Sequence, residues 1–112
     1  MGREYHRIPV DFYVNKLVDG VPVMARARNL SMGGLYLDRL IEPSTDENAR
    51  TSVEFVLPGH DDILWIETEL MHGDDDDGHG FAFRNLSPSI AHRLQSFMDE
   101  QSAMALKAMP TA

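Results

Sequence analysis

The chain has 112 residues, of which 43% are hydrophobic, and none is cysteine. These values fit one globular domain with a single core, and they exclude a disulfide framework or a thiolate metal site. The formal net charge is −8, which argues against general affinity for DNA, RNA or an anionic membrane surface. The negative net charge does not exclude a small phosphorylated ligand. Charges beyond ~8 Å are largely screened at physiological salt, so a few arginines can determine the local electrostatic potential.

The start of the sequence lacks the apolar segment of a secretory signal. No apolar run approaches the ~20 residues that are needed to cross a bilayer. We therefore expect a soluble, cytoplasmic protein that does not associate with membranes. Internal repeats and domain boundaries are not evident, so residues 1–112 are expected to form one domain.

Several short segments have the pattern of β-strands. Residues 8–14 alternate apolar and polar side chains with the period of a half-buried strand, and Asp19-Gly20 is a strong hairpin signal. In the return strand, Ala25 and Ala27 are expected to face the core, and Arg26 and Arg28 the solvent. The strands are predicted at residues 8–14, 21–27, 35–38, 52–57, 63–72 and 81–83, with a loop at 39–51 and a turn at 73–78.

A helix is predicted where the period changes, at Ser87. Ser87 can cap a helix N-terminus, and Pro88 suits the first helical position. An apolar stripe at helical spacing follows, formed by Ile90, Leu94, Phe97 and Met98. Six short strands followed by one amphipathic helix predict a six-stranded antiparallel β-barrel over residues 8–86, closed by a C-terminal α-helix over 87–109.

Two arginines, Arg3 and Arg7, lie in the N-terminal tail, which we take as residues 1–7. In an extended chain they point to the same side, roughly 13 Å apart at ~3.3 Å per residue. Guanidinium groups bind phosphate bidentately, pair with the O6 and N7 edge of guanine and stack on base planes, so this pair can clamp a guanine nucleotide. His6 can flank the same ligand. The alternative is a solvated terminus.

A second polar cluster, Asn29-Leu-Ser-Met-Gly-Gly34, lies between the second and third predicted strands. Asn29 can accept hydrogen bonds from a base edge, and the Ser31 hydroxyl can donate one to a phosphate or base. Gly33 and Gly34 permit positive φ and a close approach of a ligand to the backbone. The alternative is a polar turn whose side chains satisfy its own backbone.

Patterns for catalysis or metal binding do not stand out. The acidic run 74–77 does not match a calcium loop, because Gly73 and Arg84 would occupy positions that require Asp and Glu. The histidines lack the spacing of metal ligands, and no nucleophile–base order, phosphate-binding loop or carboxylate pair is evident. We therefore predict no catalytic residues, no metal ligands and no cofactor.

Taken together, the two polar clusters resemble the motifs of the PilZ domain, the bacterial receptor module for cyclic di-GMP. The family pattern is R-x-x-x-R just before the first strand and [D/N]-x-S-x-x-G after the second. Here Arg3 to Arg7 and Asn29 to Gly34 match it. Gly80-Phe-Ala-Phe83 resembles the last barrel strand, and Leu86-Ser-Pro88 the entry to the C-terminal helix. The resemblance extends over nearly the whole chain.

The resemblance implies a barrel of PilZ type that has no catalytic activity and binds cyclic di-GMP on its outer surface. Arg3 and Arg7 would hold the phosphates and guanines from the tail side. Asn29, Ser31 and the Gly34 backbone would contact the ligand from the barrel side.

We expect an effector in which ligand binding orders residues 1–7 and presents a new surface to a downstream protein. Motility, polysaccharide synthesis and kinase signalling are all compatible pathways. Many family members have two successive arginines where this chain has Gly2-Arg3, which favours one bound nucleotide over an intercalated pair. The alternatives are a nucleotide-independent PilZ-like adaptor, or an enzyme such as a phosphodiesterase. The sequence is compatible with a monomer or a homodimer.

Overall fold

The computed structural model describes residues 6–38, 50–71 and 78–108. In these ranges, six antiparallel strands form a closed barrel that is followed by a helix. The elements are β1 (Ile8–Val18), β2 (Val21–Leu30), β3 (Gly34–Asp38), β4 (Thr51–Val56), β5 (Ile63–Leu70), β6 (Gly78–Arg84) and α1 (Pro88–Ala108). The predicted fold class is therefore confirmed.

The first two strands are longer than their alternating patterns predict. β1 continues from Val14 to Val18, because it pairs with β2 along its length and with β4 at its end. Lys16 interrupts the apolar alternation of β1, yet its side chain is only 1% exposed and lies inside the barrel. Its ammonium nitrogen is 5.7 Å from the ring centroid of Phe81.

The other boundaries also shift. Thr51, which was placed in the predicted loop, is the first residue of β4, where its hydroxyl bonds to Thr68 inside the barrel. β5 ends at Leu70, and β6 begins at Gly78, where the sequence predicted the end of a turn. Most of that turn and of the predicted loop lies outside the described residues.

The barrel closes between β1 and β4. Its strand order is β1-β2-β3-β6-β5-β4. The ladder between β1 and β4 is short and joins Asn15–Val18 to residues 51–54. Beyond it no residues of β1 and β4 pair with each other, and the rings of Phe12 and Phe55 meet there with centroids 5.5 Å apart. Packing of these two rings thus continues the closure where pairing stops.

The core combines the inward side chains of the strands with one face of α1. Ala25 and Ala27 are fully buried, as their position in the alternation predicts. Large apolar side chains from the strands and the helix fill the remaining space, among them Leu30, Leu35, Leu64, Phe81, Leu94 and Phe97. The barrel is therefore a packed core that leaves its outer surface for binding.

Helix α1 is attached to the barrel by contacts that extend from its N-terminal cap to Glu100. The Ser87 hydroxyl accepts a hydrogen bond from the Ile90 amide at 3.2 Å, which is the expected cap. The side chains of Arg93 and Asp62 form an ion pair, and His60 Nε2 lies 3.0 Å from a Glu100 oxygen. In the part of the chain that the structure describes, no helix is both long and apolar enough to span a membrane.

The contact of Gly34 with β6 predicts a large effect of Gly34→Ala. A Cβ at Gly34 would lie 2.1 Å from the Phe81 carbonyl oxygen, so β3 and β6 would have to separate. We expect the free energy of unfolding to fall by about 1–3 kcal/mol or more, as for other overpacked sites. Chemical denaturation monitored by circular dichroism measures it.

The matched control is Gly80→Ala in the neighbouring strand. There the added Cβ would meet Met71 Cβ at 3.9 Å, which is an ordinary van der Waals distance. We expect this change to be well tolerated. Equal destabilisation by the two substitutions would contradict the steric role of Gly34.

Candidate ligand-binding site

The two sequence motifs meet at one hydrogen bond. Arg7 immediately precedes β1, and in the β1–β2 ladder Pro9 pairs with Asn29. The Arg7 guanidinium nitrogen Nη1 donates to Asn29 Oδ1 at 2.7 Å. The antiparallel register therefore brings the end of the tail to the start of the second motif. Arg3, with the rest of residues 1–5, lies outside the described residues.

The outward position of Asn29 depends on irregular pairing around Arg28. In the β1–β2 ladder, Pro9 pairs with Asn29 and the next pair is Phe12 with Ala27. In the β2–β3 ladder, Ala27 and Asn29 both have partners in β3, whereas Arg28 between them has none. Such bulges interrupt the regular alternation of side chains. As a result, exposed Arg28 is followed by half-buried Asn29, while Leu30 is fully buried. Arg28 and Asn29 are therefore both accessible from the outer surface.

Ser31 holds the turn between β2 and β3 together. Its side chain is buried, and its hydroxyl accepts hydrogen bonds from the amides of Gly33 at 3.1 Å and Gly34 at 3.2 Å. The hydroxyl also donates a hydrogen bond to the Gly34 carbonyl oxygen at 3.3 Å, and the Ser31 amide donates to the same oxygen at 2.8 Å. In this structure Ser31 therefore satisfies the backbone of its own turn, as the alternative interpretation of the motif expected.

The two glycines of the motif do not adopt positive φ. Among the described glycines, that conformation occurs at Gly20 and Gly59. Gly34 is needed for space instead, because β6 passes close to it. Gly33 donates its amide to Ser31 and accepts a hydrogen bond from the Phe83 amide at 2.8 Å. The motif thus forms a compact turn that is fixed to β6.

A network of ion pairs lies on the same outer surface. Arg26 donates two hydrogen bonds to the Asp11 carboxylate, at 2.5 and 2.6 Å. Arg28 lies between two carboxylates, with Nη1 3.9 Å from Asp11 and Nε 3.4 Å from Asp38. This network balances two cations with two anions, so it positions the arginines without adding net charge.

The network shifts the pKa of its central groups. The hydrogen bonds from Arg26 are the main reason why the pKa of the Asp11 carboxyl lies below its usual 3.8, and attraction to Arg26 and Arg28 adds to this effect while desolvation opposes it. The same hydrogen bonds raise the pKa of Arg26. Asp11 and Arg26 therefore stay charged throughout the neutral range.

Arg7 differs from these arginines in its surroundings. Its side chain bonds to a neutral amide, and among the described residues no carboxylate pairs with it. His6, the other described residue of the tail, is exposed. Within the described ranges, the positive charge of Arg7 is therefore not neutralised by a carboxylate at the junction of the two motifs.

The arrangement is suited to binding. It combines guanidinium donors, an amide acceptor and a rigid turn on an open surface. Within the described ranges, no group of His, Asp or Glu side chains is arranged to hold a metal ion. Sequence reasoning named Arg7, Asn29 and the turn as candidate residues, but it did not include Arg28. The outward position of Arg28 was predictable from alternation, whereas its place beside Asn29 depends on the bulge.

Comparison with known proteins identifies the family. The PilZ domain matches residues 2–100, so the chain belongs to the PilZ domain family. Among curated proteins, none matches the chain significantly.

Solved structures share the fold at low sequence identity. The PilZ domain of CeSA from a cellulose-synthesising bacterium is 18% identical, with a TM-score of 0.67 over 87% of this chain and 98% of that one. The Bacillus subtilis inhibitor of motility MotI/DgrA is 14% identical, with a TM-score of 0.70 over 92% and 52% of the two chains. Escherichia coli YcgR, in complex with c-di-GMP, is 22% identical, with a TM-score of 0.67 over 94% and 48%. This chain thus spans about half the length of the latter two.

The ion pair between Asp11 and Arg26 leads us to predict how the pKa of Asp11 responds to a substitution. Because its folded pKa is lowered, the pair stabilises the fold above the unfolded pKa of 3.8, and this contribution is lost as the pH falls through the folded value. Arg26→Ala should raise the pKa of Asp11 towards 3.8, as measured by NMR titration of the carboxyl carbon.

Arg93→Ala serves as the control for this titration, since Arg93 pairs with Asp62 on the helix side of the barrel. It should leave the pKa of Asp11 unchanged. An unchanged pKa of Asp11 in Arg26→Ala would mean that the ion pair does not form in solution.

Proposed function

We propose that this protein is a cyclic di-GMP receptor that binds the nucleotide on the outer surface of its barrel and transmits the signal without catalysis. The hydrogen bond between Arg7 and Asn29 is the observation that carries this proposal, because it brings the two family motifs to one place. Membership of the PilZ family supports it, as does the fold shared with YcgR, whose structure contains c-di-GMP.

The roles follow from the chemistry of each group. Arg7 is proposed to bind a phosphate bidentately and to stack on a guanine, and Arg3 to do the same from the tail. Asn29 would then accept a hydrogen bond from a base edge. Arg28 is proposed to add guanidinium hydrogen-bond donors from the barrel side, where its side chain is 45% exposed.

The turn residues have a supporting role in this proposal. Ser31 fixes the turn through its hydroxyl, which accepts hydrogen bonds from the amides of Gly33 and Gly34. Ser31 would contact the ligand directly only by giving up one of these hydrogen bonds. His6 is proposed to flank the ligand from the tail.

Transmission is proposed to occur through residues 1–7. Ligand contacts with Arg3 and Arg7 would order this segment across the barrel, and the resulting surface would be recognised by a downstream protein in the cytoplasm. Regulation of motility is one compatible pathway, since the structural relative MotI/DgrA is an inhibitor of motility. We propose one bound nucleotide per chain.

Titration calorimetry with cyclic di-GMP tests the proposal. Wild-type protein should bind, and Arg7→Ala should lose at least ~2 kcal/mol of binding free energy, because it removes charge-assisted contacts with phosphate. Arg93→Ala is the matched control, since it removes a cation from α1 on another part of the surface.

The control should bind as tightly as the wild type. Absence of binding by the wild type at tens of micromolar would refute the proposed ligand. Equal losses in Arg7→Ala and Arg93→Ala would refute the proposed site and indicate general electrostatic attraction.

A further inference from the structure

Exposed apolar side chains gather on the outer face of β2, β1, β4 and β5. The register places Met24, Asn15, Glu54 and Trp65 opposite one another in a single row across these strands. Ile63 is 72% exposed and Trp65 49% exposed. We call this surface the docking face, and it consists of Tyr13, Met24, Val56, Ile63 and Trp65 around Asn15 and Glu54.

A cleft runs through the docking face. It opens beside Asn15 and Glu54, where the ladder between β1 and β4 ends, and its volume is about 400 Å³. Buried Val14 and Phe55 contribute to its lining, together with the exposed apolar side chains around it. Apolar walls around an open cleft favour the burial of a large apolar side chain.

Of the described residues that line this cleft, Glu54 is the only charged one. Among the described residues, no cation pairs with it, whereas the exposed carboxylates of Asp11 and Glu69 are paired with arginines. An unpaired carboxylate within an apolar surface favours a partner that supplies a positive charge.

The charge also distinguishes the candidate occupants. A second copy of this chain would bring another Glu54 and a net charge of −8 to the same interface. An anionic lipid surface would be repelled in the same way. A basic protein segment would not be repelled by Glu54 or by the net negative charge of the chain. Exposed Trp, Tyr and Met side chains are also the types that are enriched at protein interfaces.

We propose that the docking face binds a protein segment that presents a large apolar side chain next to a lysine or arginine. The apolar side chain enters the cleft between β1 and β4, and the cation pairs with Glu54. This surface borders the ion-pair network beside the candidate ligand site, because Tyr13 pairs across the ladder with Arg26 of that network. The inference rests on the barrel surface and does not require nucleotide binding.

The test is selection from a library of random short peptides displayed on phage, with the wild-type protein as bait. Trp65 is the only tryptophan, so its fluorescence reports occupation of the docking face directly. Enriched peptides should carry a large apolar residue next to Lys or Arg, and they should shift the Trp65 emission to shorter wavelength. Each enriched peptide is then titrated against the variants.

Three variants localise the binding. Ile63→Ser and Glu54→Lys alter exposed or half-exposed positions of the docking face and should each weaken peptide binding at least about tenfold, as loss of an interface hot spot does. Val21→Ser is the matched control, because Val21 is 61% exposed but lies at the β1–β2 hairpin, away from the cleft. It should bind as the wild type does. Circular dichroism verifies that each variant is folded.

The remaining outcomes overturn the proposal. These are the absence of enriched peptides, enrichment of peptides without basic residues, an unchanged Trp65 emission, or equal binding by wild type and Glu54→Lys. Analytical ultracentrifugation of the protein alone tests whether a second copy of this chain occupies the docking face. A concentration-dependent dimer that Ile63→Ser abolishes would assign the docking face to a second copy and would also overturn the proposal.

Discussion

The hydrogen bond from Arg7 to Asn29 is the contact on which the candidate site depends. It joins residues that are 22 positions apart, and it forms because the β1–β2 ladder pairs Pro9 with Asn29. A shift of one residue in this register would turn Asn29 towards the core. The site is therefore a consequence of strand pairing, and the turn at Ser31 and Gly34 fixes its barrel side.

The barrel separates its packed core from the outer surface that carries both candidate binding regions. Inward side chains form a packed core, and the outer face of β1 and β2 carries both the candidate ligand site and part of the docking face. The ion pairs of Asp11 with Arg26 and Arg28 lie between these two surfaces. Arg28 borders Asn29 in sequence, and Arg26 pairs with Tyr13 in the ladder. A change at the ligand site therefore has a short physical route to the surface that we propose for a partner.

Much of this structure was predictable from local patterns, and the rest depends on tertiary contacts. The alternation in β1 and β2, the hairpin at Asp19-Gly20 and the Ser87 cap identified the barrel and helix, and the two motifs supplied the residues of the candidate site. The bulge at Arg28 was missed because it has no signature in the sequence. The inward position of Lys16 was missed because lysine is rarely buried. Gly33 and Gly34 were expected to permit positive φ and a close approach of a ligand, whereas neither has a positive φ and Gly34 leaves space for the Phe81 carbonyl.

The central claim is that the end of the tail and the turn after β2 form one binding site. Amide NMR spectra of isotopically labelled protein, recorded during titration with cyclic di-GMP, test it most directly. The account predicts that the signals of His6 and Arg7 and those of Asn29 to Gly34 change together, with the same saturation concentration. Changes that are confined to one of these segments, or that occur mainly in α1, would contradict a shared site.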